Sequence, residues 1–331
     1  MKLLFSIKYE TEVVFKNDIS DIFKELGSGC CFVIDSSLKT RFPELPSEKV
    51  FYFSGEREKD LSKVEDCFEW LIEQKAGRKT KLVAIGGGAT TDFSAFVASI
   101  YNRGMGLIMI PTTLLSVVDS AIGGKTAVNF VAKNLIGSYY PASKVIIVRE
   151  FLNSLNDKMI ESGKAEIIKV ALLKGDRLAE FVRSGADLLS EKCLTLAIKD
   201  KYKIIRSDVA DTFGKRIVLN WGHTFGHAIE RYSGIPHGLA VASGMVLMQK
   251  YSKYLGYESF PHDELERILR MHGIRHDLSL YVDDNKWLKF IALDKKRDLE
   301  ELSMVYLKET GVAGIINRNL NDILKDLEEL R

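Results

Sequence analysis

At 331 residues, 46% of them hydrophobic, the chain is long enough for two domains, each with its own core. Its 47 basic and 45 acidic residues leave a net charge of +2, which excludes a general attraction to nucleic acid or to an anionic membrane surface but leaves room for a local basic pocket around a small anion. The four cysteines, Cys30, Cys31, Cys67 and Cys193, make no C-x-x-C pair and fit a reduced, cytoplasmic setting. The uncharged stretch near the middle of the chain, "GMGLIMIPTTLLSVV", is too short for a bilayer span and contains Pro111, and the N-terminal apolar run is too short for a signal peptide.

In chain order, "CCFVIDSS" and "KVFYFSGE" read as strands, the first buried and ending in polar residues. "KDLSKVEDCFEWLIEQ" puts Leu61, Val64, Phe68 and Leu71 on one helical face. "KLVAIGGG" is a strand running into glycines, "TTDFSAFVASIYN" a helix with Thr and Asp at its start, and "GLIMIPTT" a strand again. Such alternation predicts an α/β domain with a parallel sheet. Beyond residue 150 the segments "DKMIESGKAEIIKVALLKG", "EKCLTLAIKDKYKIIRSDVA", the stretch from Thr224 and "HDELERILRMHG" read as helices, and strand signals become sparse. The expected organisation is therefore an α/β domain over residues 1–150 and a mainly α-helical domain over 151–331.

Gly86, Gly87 and Gly88 fall between a strand and a helix, where glycine lets the backbone approach a phosphate and the first helical N–H groups favour an anion. The pattern is neither G-x-G-x-x-G nor a P-loop, so a tight strand-to-helix turn explains it equally well. Asp35 closes the strand "FVID", and Glu56 and Lys59 follow "KVFYF", at strand ends where ligands of open α/β sheets bind. In "PTTLLSVVDSAIGGKTAVN", Asp119 sits among apolar residues and needs a partner. Lys125, across a Gly-Gly turn, is a candidate, as a structural ion pair or as a catalytic or anion-binding pair.

Three of the six histidines cluster within residues 223–237. His223 and His227, four apart in "NWGHTFGHAIE", share a helical face, the spacing of a two-histidine metal site or of two core histidines. His237, in "IPHG", is expected in the loop that follows. Glu166, on an otherwise apolar helix, is a candidate carboxylate ligand, and the absence of H-E-x-x-H argues against a metalloprotease.

Taken together and in order, "GGGATTD", "PTTLLSVVDSAIGGKTAVN", "KNLIG", "SGKAEIIK" and "LNWGHTFGHAIE…HG" resemble the 3-dehydroquinate synthase family over roughly residues 30–300. The resemblance implies a Rossmann-like N-terminal NAD domain, a helical C-terminal metal domain and a homodimer. It implies one divalent ion, zinc or cobalt, on Glu166, His223 and His237. NAD would be held by Asp35, Glu56, Lys59, the turn Gly87, Gly88, Ala89, Thr90, Thr91 and Asp92, by Thr112, Thr113, Lys125 and Lys133, and by Phe151 and Ser154. The implied substrate is 3-deoxy-D-arabino-heptulosonate 7-phosphate. Its anionic groups would meet Lys125, Asn134, Lys201, Arg216, Asn220, His227 and one of Lys295 or Lys296, with Asp119 and Lys169 at its hydroxyls and Arg103 reaching the neighbouring subunit's phosphate site. NAD would take a hydride and return it after phosphate elimination, with ring opening and an aldol closure completing the carbocycle.

Some positions depart from the family pattern. Leu239 stands where an acidic residue is usual, Ser37 where Asn is common, "KTAVNFVAKN" is one residue short and "DVADTFGKR" one residue long, and "FLNSLNDKM" lacks the usual proline. Iron-type alcohol or glycerol dehydrogenases share the glycine turn but carry a histidine four residues after the acidic ligand, where this chain has Val170. Cyclases that make an inosose or a valiolone need no carboxylate clamp, which Arg216 with Lys201 supplies. A catalytically silent binding protein would not need so full a set of chemical groups.

Overall fold

The structure, a computed structural model, describes residues 9–20, 22–209, 211–277, 279, 284–294 and 301–330. The chain forms two compact units, Met1–Leu155 and Asn156–Arg331.

The first unit runs β1 (Glu12–Lys16), α1 (Ile22–Leu26), β2 (Cys30–Asp35), β3 (Val50–Phe53), α2 (Leu61–Glu73), β4 (Lys81–Gly86), α3 (Gly88–Ile100), β5 (Gly106–Pro111), α4 (Leu114–Val118), β6 (Lys125–Phe130), β7 (Ala132–Tyr139), β8 (Lys144–Val148) and α5 (Arg149–Asn153). Residues 150 and 151 lie inside α5, and the units divide just after it. Six strands make a sheet in the order β1-β8-β5-β4-β2-β3 with every neighbouring pair parallel. Parallel strands are covered on both faces, which is why β2, β4 and β5 read as unbroken apolar runs and why Val33, Ile34, Leu82, Val83 and Ile85 are fully buried. From β2 the chain steps to β3 on one side and returns to β4 on the other, so the carboxyl ends of β2 and β4 flank a topological switch point. On α2, Asp60 caps the first turn by accepting from Lys63 N, and Val64, Cys67 and Leu71 are the buried stripe; Leu61 and Phe68 lie at its flanks.

The second unit is mainly helical: α6 (Asp157–Lys174), α7 (Arg177–Arg183), α8 (Glu191–Ile205), α9 (His223–Ser233), α10 (His237–Tyr254), α11 (His262–Met271), α12 (Lys289–Asp294), β9 (Glu301–Glu309), β10 (Val312–Asn319) and α13 (Leu320–Glu329). The expectation of sparse strands misses the antiparallel pair β9–β10. The fully buried amide of Gln249 on α10 ties that pair to the helices. Its Oε1 accepts from Trp221 Nε1 (3.1 Å) and Leu307 N (2.9 Å), and its Nε2 donates to Phe260 O and Leu307 O (both 2.8 Å). Every hydrogen-bonding position of that amide is used, which buried polar groups require.

Close backbone approach sets the spacing of α6, α9 and α10. A Cβ on Gly238 would lie 1.9 Å from Ser162 O of α6, and one on Gly244 would lie 2.1 Å from Gly222 O. Gly226 meets the Val241 Cα at 3.0 Å in the same way, and Gly222, at φ 79, makes the left-handed turn that starts α9. The glycines that precede His223 and His227 are thus packing residues.

Candidate active site and metal centre

In the first unit, Asp35 ends β2 and accepts from Ser37 N (3.0 Å) and Ser37 Oγ (2.6 Å), with Thr90 Oγ1 3.4 Å from its other oxygen. β4 ends at Gly86, where a Cβ would collide with Thr90 Oγ1 at 2.5 Å; Gly87 is the N-cap of α3 and has no side chain to fill that role. The first N–H groups of α3 therefore open beside the switch point, a cradle for an anionic cofactor group. Thr90 and Thr91 are fully buried, and the Thr91 hydroxyl donates to Gly88 O, so what this turn offers a ligand is backbone. Thr112 N bonds Gly86 O, and Thr113 is committed to a capping box with Ser116. Phe151 is a core side chain set edge-on to Phe42, and the Ser154 hydroxyl returns to Phe151 O. Asp119 is half-buried at the end of α4, Lys125 is exposed at the start of β6, and Lys133 and Arg103 are exposed, the latter at φ 64.

Lys59 and Asn134, widely separated in sequence, meet. The buried Lys59 Nζ donates to Asp92 Oδ2 and to Asn134 Oδ1, both at 2.8 Å. Glu56, three residues before Lys59, accepts from Asn129 Nδ2 at 3.0 Å.

In the second unit, α6 presents Glu166 and Lys169 one turn apart, both about 2% exposed, with Nζ 2.5 Å from Oε2. That contact is ionic but lies off the hydrogen-bonding direction, and neither Glu166 oxygen has a hydrogen-bond donor among the described residues. Leaving a buried carboxylate so is costly unless another ligand completes it. His223 Nε2 and His237 Nε2 each stand 3.9 Å from Glu166 Oε1. The opposite ring nitrogens are engaged: His223 Nδ1 with Trp221 O at 3.2 Å and His237 Nδ1 with Glu230 Oε2 at 2.7 Å. Both rings thus point Nε2 at one carboxylate oxygen. His227 completes a triangle in which nitrogen atoms of all three histidines lie within 4.8 Å of one another. Its ring lies edge-on to that of His223 at 5.2 Å and tilted against that of His237 at 5.7 Å.

Burial, helped by the charge of Lys169 at 3.5 Å and by the neighbouring rings, holds His223 well below its ordinary pKa and therefore neutral, as a metal ligand must be. Burial pushes the His237 pKa down as well, but the hydrogen bond it donates to Glu230 and the charge of Glu166 outweigh burial and raise it. Two imidazole nitrogens and a buried carboxylate whose oxygens have no hydrogen-bond donor among the described residues fit a divalent transition metal such as zinc or cobalt.

His237 is the first residue of α10, behind Pro236 as N-cap, and not a loop residue as expected. Lys201 and Arg216 are both buried; the turn Lys215–Asn220 that carries Arg216 and Asn220 packs on α6 and on α8, the helix of Lys201. Lys295 and Lys296 lie outside the described residues. Glu230 and the Trp221 carbonyl were not among the expected site groups. The stripe 223, 227, 230 at helical spacing is the signal that points to Glu230. Glu230→Ala is expected to weaken divalent-metal affinity by about ten- to hundredfold, the range for removing a carboxylate behind a ligating histidine; titration calorimetry with zinc checks this, and unchanged affinity would show that His237 needs no such support.

Residues 49–162 match the family described as 3-dehydroquinate synthase N-terminal, and residues 163–297 the family described as 3-dehydroquinate synthase C-terminal. The chain is 35% identical to a 3-dehydroquinate synthase of Picrophilus torridus over 95% of both chains. It is 40% identical to one of Saccharolobus solfataricus over 73% of this chain and 72% of that one. In three dimensions it superposes on 2-deoxy-scyllo-inosose synthase complexed with carbaglucose-6-phosphate, NAD+ and Co2+, at a TM-score of 0.82 and 27% identity, covering 96% of each chain. With both family models matched in order and a relative aligned over 95% of both chains, the chain belongs to the 3-dehydroquinate synthase family.

Proposed function

We propose that the chain converts 3-deoxy-D-arabino-heptulosonate 7-phosphate to 3-dehydroquinate and inorganic phosphate, with NAD in the first unit and one zinc or cobalt ion in the second. The observation that carries the proposal is the convergence of His223 Nε2 and His237 Nε2 on the undonated Glu166 carboxylate, in a chain of this family. Substrate and products differ by the elements of phosphoric acid, so there is no net oxidation and NAD is not consumed. When bound, NAD takes up a hydride and gives it back, and the metal acts as a Lewis acid on substrate oxygens.

The chain's own residues do the rest. Glu166, His223 and His237 hold the ion; Trp221 O and Glu230 fix the two rings. His227, one turn along α9 from His223, serves the substrate in place of the metal. Asp35, Glu56, Lys59 and the backbone of Gly87 to Asp92 hold NAD, with Thr112, Thr113, Lys133 and the Phe151–Ser154 segment contributing mainly backbone. Lys125, Asn134, Lys201, Arg216, Asn220 and either Lys295 or Lys296 hold the substrate's phosphate and carboxylate by charge-assisted hydrogen bonds. Asp119 and Lys169 meet its hydroxyls. We also infer a homodimer, in which Arg103 reaches the neighbouring subunit, and a reduced cytoplasmic setting. Four free buried cysteines and the lack, among the described residues, of a helix long and apolar enough to cross a membrane support the setting.

The test supplies the heptulosonate phosphate with NAD far below substrate concentration. Phosphate is expected to appear in amounts equal to substrate consumed, with no net NADH. Conversion of the whole NAD pool to NADH, with substrate consumption stopping at that amount, would instead identify a dehydrogenase, and turnover of a sugar phosphate without a carboxylate in preference to this one would identify a different cyclase.

A further inference from the structure

We infer that Asn129 is a positioning residue that sets the substrate-side hairpin and the cofactor-side turn in one fixed relation. The inference rests on the reading of Glu56 and Lys59 as cofactor contacts and of Asn134 as a substrate contact.

Asn129 lies in β6, where the pairing with β7 shifts register between Val128 and Phe130. A bulge there releases one residue from the ladder and re-aims it. Released, Asn129 turns to the segment after β3: its N–H donates to Lys59 O at 2.7 Å, and a single parallel bridge joins it to Asp60. Its side chain works in two directions. Oδ1 accepts from Asn134 N at 2.8 Å, and Nδ2 donates to Glu56 Oε1 at 3.0 Å. Asn134, at φ 55, is held in the left-handed region by that bond, a conformation Asn tolerates better than most residues. Its own Oδ1 then accepts from Lys59 Nζ. The ring closes: Asn129 to Asn134, Asn134 to Lys59, and Lys59 back to Asn129 through the backbone. Glu56 hangs from the same amide, and Asp92 of α3 from the same ammonium. Moving Glu56 or Lys59 therefore moves Asn134.

The chemistry of the position is specific. One end must accept from a backbone N–H and the other must donate to a carboxylate, so the amide orientation is fixed by its partners. Asp has the same shape but would set a second carboxylate against Glu56. Ala removes both bonds.

Five variants, each first checked for unaltered circular dichroism and melting temperature, test this by NAD binding (equilibrium dialysis) and by KM and kcat for the heptulosonate phosphate. Asn129→Asp is expected to weaken NAD binding about fivefold at neutral pH through loss of a single partly exposed hydrogen bond to a charged group and its replacement by like-charge repulsion, while KM for the sugar phosphate rises less, by about twofold as in Glu56→Ala, because the bond from Asn134 N is kept. Lowering the pH protonates the introduced carboxyl, which can then donate to Glu56, so NAD affinity relative to the parent chain recovers toward acid pH; a merely structural defect would not recover. Asn129→Ala raises both the NAD dissociation constant and KM by about fivefold. Glu56→Ala raises KM for the substrate in the parent chain but no longer does so in the Asn129→Ala background. Equal effects of Glu56→Ala in both backgrounds, or an NAD affinity of Asn129→Asp that ignores pH, would overturn the inference. If Glu56→Ala and Lys59→Met leave NAD binding untouched, the cofactor reading itself fails and the inference falls with it.

Discussion

Glu166→Gln is expected to lower the affinity for a divalent metal by more than about a hundredfold, beyond what loss of an outer carboxylate costs, and to lower thermal stability as well. The first effect follows from geometry. Glu166 Oε1 is the atom on which His223 Nε2 and His237 Nε2 converge, and both of its oxygens are buried without a hydrogen-bond donor among the described residues. An amide there is a neutral, weaker ligand. The second effect follows from Lys169, whose ammonium is about 2% exposed and 2.5 Å from the same carboxylate. Removing one partner of a buried ion pair leaves the other uncompensated, at a cost of about 3–5 kcal/mol. The two effects are separable by measuring metal content after dialysis and denaturant unfolding of the metal-free chain. Unchanged metal content would remove Glu166 from the ligand set, and an unchanged unfolding midpoint would mean Lys169 does not depend on it.

Gly238→Ala is expected to destabilise the chain by about 3 kcal/mol or more, at the upper end for overpacking, because the added methyl would sit 1.9 Å from Ser162 O and 2.6 Å from Ser162 C. Those are backbone atoms of α6 and cannot swing aside as a flexible side chain would. α10 must lift away from α6, and the two helices carry His237 and Glu166, so metal affinity falls together with stability. Gly77→Ala is the control: a Cβ there meets nothing within 4 Å, and the change is expected to stay within about 0.5 kcal/mol. Denaturant unfolding of the two variants checks this. A Gly238→Ala chain as stable as the parent would show that α6 and α10 can slide without cost.

Much of this arrangement is written in local sequence patterns, and the remainder is written in contacts between distant segments. Strands such as "KLVAIG" and "GLIMIP" are legible because a strand buried on both faces has no polar side to dilute its signal. The β6–β7 pair is harder to see: β7 is exposed along most of its length and reads as loop. The β9–β10 pair offers only a short apolar run, Met304–Leu307, and no clean alternation, in a region dominated by helical spacing. Around the histidines, spacing places His223 and His227 on one face but cannot say which pair shares a ligand. That depends on Glu166 from α6 and on which ring nitrogen Trp221 and Glu230 occupy. Pro236 and Gly238 look like loop punctuation around His237, yet the proline caps α10 and the glycine lets that helix rest on Ser162. Asn129 is silent in the sequence because its role arises from a bulge that only the pairing of β6 with β7 creates.

The division of labour within "GHTFGH" is the centre of this account, and one measurement reaches it directly: metal bound per chain in His223→Ala and His227→Ala, purified side by side and dialysed against the same zinc buffer. The predicted result is a His223→Ala chain that has lost its metal and a His227→Ala chain that keeps a full equivalent while its phosphate release falls by about a hundredfold or more, the range for loss of a group acting on the substrate. Loss of metal in both variants would contradict it and restore a site built on the two helical histidines together.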